Sequence, residues 1–315
     1  MQGLRIRATS SHTIGRMPRT RANGIDIEYD TFGDLKDAPL LLVMGLGAQM
    51  ISWEEDFCEQ LAARGFYVIR YDNRDTGLST RMEAAGPPDM AAALSGNPKP
   101  AYRLDDMADD GVGLLDALGI KAAHIVGASM GGFIAQLIAI NHPSRTLSLT
   151  SIMSGPSMRE GVPPTPEGSA VLLAKPSSNR EESIELTLWG RRALVGPSDP
   201  FDEKFERAKA VRAVDRAYYP VGAGRQLVAI LAAEDRLERL QGVRVPTLVI
   251  HGTDDVLVPL ENGRRVAAAV PGAMLLELEG MGHDLPRRVW PQIIDAIADT
   301  ADTADAVQPG AAWST

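Results

Sequence analysis

The sequence predicts an α/β protein: a mostly parallel central sheet with helices on both faces and an inserted helical lid. Three features carry this expectation. Short apolar segments alternate with helical patterns from Ile25 to about residue 155, the rhythm of a parallel sheet joined by crossover helices. The rhythm is suspended from Pro163 to Leu240, where four helical patterns follow one another without a convincing strand. It resumes near residue 243 and runs to 300.

Each element has a local reason. Ile25, Ile27 and Tyr29 alternate with Asp26, Glu28 and Asp30, the period-2 pattern of a half-exposed strand. Pro39 to Met44 is continuously apolar, as a central strand covered on both faces must be. A helix is expected from Trp53 to Arg64 and a strand from Tyr67 to Tyr71. The Pro/Gly-rich stretch Met82–Tyr102 reads as a loop with one short helix. Leu104, Met107, Ala108, Gly111, Leu115 and Leu118 recur at helical spacing, so Arg103–Leu118 packs one face on the sheet. A buried strand at Ala122–Val126 precedes a helix that stops at His142-Pro143, and a strand follows from Leu147 to Met153. The insertion is expected as helices at Pro166–Ala174, Arg180–Val195, Asp202–Tyr218 and Gly224–Leu240. The last elements are a strand at Pro246–Ile250, a helix near Leu260–Val270, a strand at Ala273–Glu279 and a helix from Pro286. The organisation expected is a core of residues 25–155 and 243–300, a cap of 156–242, a basic disordered leader of 1–24 and a frayed tail of 301–315.

The 315 residues are 44% apolar and 23% charged, enough for a substantial core. A net charge of −9 argues against nucleic acid or an anionic membrane as partner. No run of about 18 apolar residues exists to span a bilayer, and the arginines before Asp26 lack the apolar segment of a secretory signal. The single cysteine, Cys58, excludes an internal disulfide and suits a reducing compartment, so a cytoplasmic location is expected. Its neighbours Phe57 and Leu61 at helical spacing place it in the core rather than at a reaction centre. A homo-oligomer is left open.

The chemistry centres on Gly127-Ala128-Ser129-Met130-Gly131, set between a strand and a helix. This is the pattern of a nucleophile elbow, whose tight turn needs small residues two before and two after the serine. A serine hydroxyl becomes a nucleophile only when an oriented base takes its proton. Of five histidines, His12 falls in the leader, His124 and His142 read as structural, and His251 as a turn residue. His283, in Gly280-Met281-Gly282-His283-Asp284 directly after the last strand, is the candidate base. The orienting acid belongs between serine and histidine in sequence. Asp254 and Asp255, after the strand Pro246–Ile250, both satisfy this. The oxyanion needs two backbone donors: the Met130 amide after the serine, and Leu46 in the loop Met44-Gly45-Leu46-Gly47 after the apolar strand. Substrate-pocket candidates between core and lid are Met50, Trp53, Met153, Trp189, Tyr218 and Tyr219.

Together, Met44–Gly47, Arg70-Tyr71-Asp72-Asn73-Arg74-Asp75-Thr76-Gly77-Leu78-Ser79, Gly127–Gly132, His251–Pro259 and Gly280–Asp284 resemble the α/β-hydrolase superfamily. The chain is most similar to a group there that includes bacterial carboxylesterases and the aclacinomycin methylesterase. The family pattern His-Gly-x-x-Asp-x-x-x-Pro falls on His251–Pro259 and selects Asp255 as the acid. The usual oxyanion-loop histidine is replaced by Met44, which leaves the backbone donor in place. The resemblance implies structural roles for Arg74 and Asp75 beneath the site. It also implies a serine carboxylic-ester hydrolase that forms an acyl-enzyme and needs no cofactor or metal, with a small-molecule ester as substrate. Cofactor-free perhydrolases and amide or C–C bond hydrolases share the same three side chains, and a non-enzymatic ligand receptor is the alternative of another class. Epoxide hydrolases and haloalkane dehalogenases attack with a carboxylate, which Ser129 is not.

Overall fold

The central apolar runs form the middle of an eight-stranded sheet in a computed structural model that describes residues 17–177 and 179–307. The strands are β1 (Arg19–Ala22), β2 (Ile25–Phe32), β3 (Ala38–Val43), β4 (Phe66–Tyr71), β5 (Ala123–Ala128), β6 (Thr146–Ile152), β7 (Thr247–Gly252) and β8 (Met274–Leu278). Their spatial order is β1-β2-β4-β3-β5-β6-β7-β8. β1 pairs antiparallel with β2 and β2 with β4, while all later neighbours run parallel. Every residue of β5, β6 and β7 is buried, His124 and His251 included, because these central strands are covered on both faces.

Alternate side chains of each strand feed two cores. Leu41 and Val43 of β3 join one cluster, with Ile69, Ile125, Leu149 and Val249. Leu40 and Leu42 join the other, with Val68, Val126, Leu248 and Ile250. The first is covered by α3 (Leu104–Ala117), α4 (Met130–Asn141) and α10 (Leu260–Ala269), the second by α1 (Glu55–Ala62) and α11 (Trp290–Val307). Burial pushes the Cys58 thiol in the second core up to about 12. The short helix expected after Met82 is α2 (Met90–Leu94).

Two domain boundaries are corrected. Residues 19–22, expected in the leader, form edge strand β1, and the cause was legible: Asn23-Gly24 has φ of 45° and 77°, the tight hairpin turn this dipeptide favours. Arg19 on that strand meets the buried Glu28 opposite it at 3.2 Å. The rest of the expected leader through Arg16, His12 included, lies outside the described residues. At the other end α11 continues through residues 301–307 of the expected tail, because Ala301 and Ala304 extend its buried face.

The insertion contains α5 (Pro166–Leu172), α6 (Arg180–Leu194), α7 (Glu203–Arg216), α8 (Pro220–Ala232) and α9 (Leu237–Leu240). The helix expected over Gly224–Leu240 is thus two. Arg236 breaks it by turning inward: it is 2% exposed, donates to Gln136 Oε1 at 3.2 Å, and lies over the Phe133 ring at 4.8 Å. Asp235 then accepts the Leu237 amide and starts α9.

Candidate active site

Ser129 occupies the turn between β5 and α4 with φ 56° and ψ −122°, a conformation that a non-glycine residue adopts only when its surroundings enforce it. The enforcement is packing. A Cβ on Gly127 would lie 2.0 Å from the Gly131 carbonyl oxygen, and one on Gly131 would lie 2.0 Å from that of Val43. No larger residue fits at either position, and the serine side chain is thrown out at the end of the sheet.

The loops after β7 and β8 open at the same edge. His283 Nε2 lies 2.9 Å from Ser129 Oγ, and its Nδ1 lies 2.7 Å from Asp255 Oδ2. Asp255 Oδ1 accepts the amides of Leu257 at 2.9 Å and Val258 at 2.8 Å, which fixes the carboxylate. Burial favours the protonated acid, but the His283 and His251 rings outweigh it and hold Asp255 well below the usual carboxylate range. Asp254, the other candidate, is exposed and accepts from the Thr253 hydroxyl at 2.6 Å. The His283 amide donates to the Leu194 carbonyl at 2.8 Å, so the end of cap helix α6 holds the histidine loop.

His251 is not the turn residue its sequence position suggests. It is fully buried in β7, donates from Nε2 to the Val258 carbonyl at 2.6 Å and approaches Asp255 to 3.5 Å. It therefore shapes the loop that carries Asp255, a role the His-Gly-x-x-Asp spacing could have signalled. His124 lies near Ser148 Oγ and His142 near Asp109, each at 2.8 Å and away from Ser129.

A Cβ on Gly45 would come within 3.0 Å of Ser129 Cβ, so the loop after β3 runs directly beside the serine. Leu46 lines the same cavity as Ser129, and Met130 opens α4 just behind it. The segment after β4 lies underneath. Asn73 donates to the Met44 carbonyl at 2.9 Å, and Asp72 accepts the Met50 amide at 2.8 Å. Arg74 pairs with Asp110 at 2.6 Å, and Asp75 takes Arg225 at 2.8 Å and the Tyr102 hydroxyl at 2.8 Å.

Ser129 and His283 open into a cavity of about 990 Å³ between core and cap. Trp53 and Met153 line it as expected positions, together with Phe57 and Trp290, which sequence reasoning did not single out. Trp53 stacks on Phe57 at 5.7 Å, and Phe57 meets Trp290 edge-on at 5.4 Å, giving the core side a continuous aromatic wall. The cap side carries Leu194, Val195, Phe201 and Phe205. At its charged part, Glu54 joins Lys209 of α7 and Arg287 of the core, each at 2.8 Å.

Four expected pocket residues are corrected. Met50 is buried in the core. Trp189 is 44% exposed, since it follows Leu188, which takes the inward face of α6. Tyr218 is half-exposed and bonds to Ser177. Tyr219 accepts from Arg225 at 2.6 Å, with Arg81 over its ring, on the side of the loop after β4. None of the four lines the cavity.

Comparison with known proteins agrees with this architecture. The chain is 33% identical over 285 residues to a protein named rhodomycin D methylesterase DauP from Streptomyces sp. (strain C5), covering 84% of this chain and 91% of that one. It is 30% identical over 247 residues to a protein named putative carbamate hydrolase RutD from Caulobacter segnis, covering 78% and 84%. Among solved structures, the enol-lactonase from Burkholderia xenovorans superposes with a TM-score of 0.67 at 24% identity, over 91% of this chain and 99% of that one. A thermophilic esterase from Thermogutta terrifontis gives 0.66 at 22%, over 90% and 99%. Residues 38–286 match the family model described as the alpha/beta hydrolase fold, and the chain belongs to that family.

Proposed function

We propose that the protein is a serine carboxylic-ester hydrolase whose nucleophile, base and acid are Ser129, His283 and Asp255. The observation that carries this reading is the continuous relay from Ser129 Oγ through both ring nitrogens of His283 to Asp255, opening into an apolar cavity. Ser129 Oγ attacks the ester carbonyl and passes its proton to His283 Nε2, while Asp255 stabilises the imidazolium. The Leu46 and Met130 amides take the oxyanion. When the tetrahedral intermediate collapses, the alcohol leaves with the proton from His283, and the acyl group stays on Ser129. Water then attacks, gives its proton to His283, and the acid departs as Ser129 regains a proton. No cofactor enters this cycle.

The relatives named rhodomycin D methylesterase support a methyl ester as substrate, and a cavity of about 990 Å³ has room for a bulky acyl part. The test is turnover of methyl and p-nitrophenyl esters together with covalent labelling by an organophosphonate. Ser129→Ala should abolish labelling and lower kcat by roughly 10⁴ or more. Asp255→Asn should cost on the order of 10⁴, and Asp254→Asn less than about tenfold. Labelling without turnover of any ester would favour the receptor alternative. A dead Asp254→Asn beside an active Asp255→Asn would move the acid by one residue.

A further inference from the structure

Cap helix α8 reaches the oxyanion loop with a side chain that the hydrolytic cycle above does not use. Gln226 is fully buried. Its Oε1 accepts the Gly47 amide at 2.8 Å, and its Nε2 donates to the Arg74 carbonyl and the Thr76 hydroxyl, each at 2.8 Å. With a backbone N–H on one side and a carbonyl on the other, the carboxamide fits in one orientation only.

The surroundings allow little slack. Gly47 has φ 65°, and a Cβ there would sit 3.0 Å from Ala223 of α8. A Cβ on Gly222, one residue earlier in that helix, would lie 2.1 Å from the Asp75 carbonyl oxygen. α8 therefore rests on two loops at backbone distance. The core holds the oxyanion loop on one side of Leu46, through Asn73 on the Met44 carbonyl at 2.9 Å. Gln226 holds it on the other side, at the residue after Leu46.

We propose that Gln226 is a positioning residue for ester hydrolysis: by gripping Gly47 it fixes the direction of the Leu46 amide, so that cap and core assemble the oxyanion hole jointly. The proposal rests on the serine-hydrolase reading. An oxyanion donor is effective only when it is aimed beforehand, and a shift of about 1 Å in a positioning element can cost on the order of 100-fold in rate.

Two variants test it. Gln226→Met keeps the length and removes every hydrogen bond; Gln226→Asn keeps the carboxamide but is one methylene too short to reach Gly47. Active sites are counted by organophosphonate titration, kcat and KM are measured for an activated ester, and affinity is measured for a trifluoromethyl ketone that forms an oxyanion on the serine. Gln226→Met should lose roughly 10- to 100-fold in kcat per titrated site with little change in KM, and ketone affinity should fall in parallel. Gln226→Asn should lose kcat in the same direction, with ketone affinity falling alongside. The proposal is overturned if Gln226→Met turns over at the parent rate per titrated site, losing only thermal stability. Should the Met variant not fold, the proposal is overturned if Gln226→Asn turns over at the parent rate per titrated site. Labelling and turnover that survive Ser129→Ala would instead strike the serine reading beneath it.

Discussion

Helices α6 and α7 belong to the same inserted segment as α8, yet different forces hold them. α6 and α7 enclose a core of their own made of Ile184, Leu188 and Ala210, with Phe201, Val211 and Val214 against it. Their outer faces carry exposed pairs such as Arg180–Asp215 and Arg207–Glu185. α8 buries Arg225 and every residue from Gln226 to Ile230, and its Ala229 and Ile230 merge with the main core. Exposed ion pairs contribute little, because solvent screens them and two long side chains must be ordered. Burial of apolar surface and of satisfied polar groups contributes far more. The outer faces of the α6–α7 half are therefore free to vary at low cost. The half beneath the loop after β3 is part of the core in all but sequence position.

The contrast is sharpest for charged residues. Arg225→Leu would leave Asp75 buried without the guanidinium that meets it at 2.8 and 2.9 Å, and should cost about 3–5 kcal/mol in denaturant unfolding. A loss within error of zero would mean that α8 is no more tightly integrated than α7.

The seam between cap and histidine loop should respond to pH. Burial, then the nearby Asp199, push Asp284 up to about 7 from 3.8. The folded chain holds this proton over a range in which the unfolded chain has released it. Stability contributed at this site is thus intact near pH 3.8, falls as the pH rises, and is fully lost above about 7. Asp284→Asn should be more stable than the parent at pH 8, by about 1–4 kcal/mol, and no more stable near pH 4. The same difference between variant and parent at both pH values would remove the burial cost assigned to Asp284.

Specificity should be tunable on the loose half. Phe205→Ala should shift the ratio of kcat/KM between bulky and short acyl esters by roughly tenfold, the value of one apolar contact, with little change in melting temperature. Trp189→Ala, outside the cavity, should leave that ratio unchanged. If Trp189→Ala shifted it and Phe205→Ala did not, the wall would be assigned to the wrong residues. The smallest effect is expected for Arg207→Gln, whose partners Glu181 and Glu185 are exposed; its melting curve should overlay that of the parent.

Much of the site was legible because its constraints are local. The elbow glycines answer to atoms within a few residues or on the adjacent strand, and the strand–turn–helix order announces them. The loops after β7 and β8 were placed at the active edge by the alternation of elements alone. His251 misled because its position at a strand end suggests a turn, whereas the chain stays in the sheet through Gly252 and buries the ring. Edge strand β1 was missed although Asn23-Gly24 marks its hairpin, since a short charged strand carries no apolar alternation.

The pocket marks where sequence stops. Trp189, Tyr218 and Tyr219 are the large aromatics of the insertion that drew attention, yet Phe201 and Phe205 face the cavity. Helical periodicity tells which residues share a face but not which face meets the core. That choice depends on how the cap lies over the sheet, through contacts between residues far apart such as Leu194 with His283 and Gln226 with Gly47. The sequence by itself determined the sheet, the elbow and the candidate serine and histidine, because strand burial and tight turns are encoded within a few residues. Only the tertiary structure decided the cavity wall and the contact of Gln226 with the loop after β3, because both arise where the inserted helices settle on a surface built from other parts of the chain.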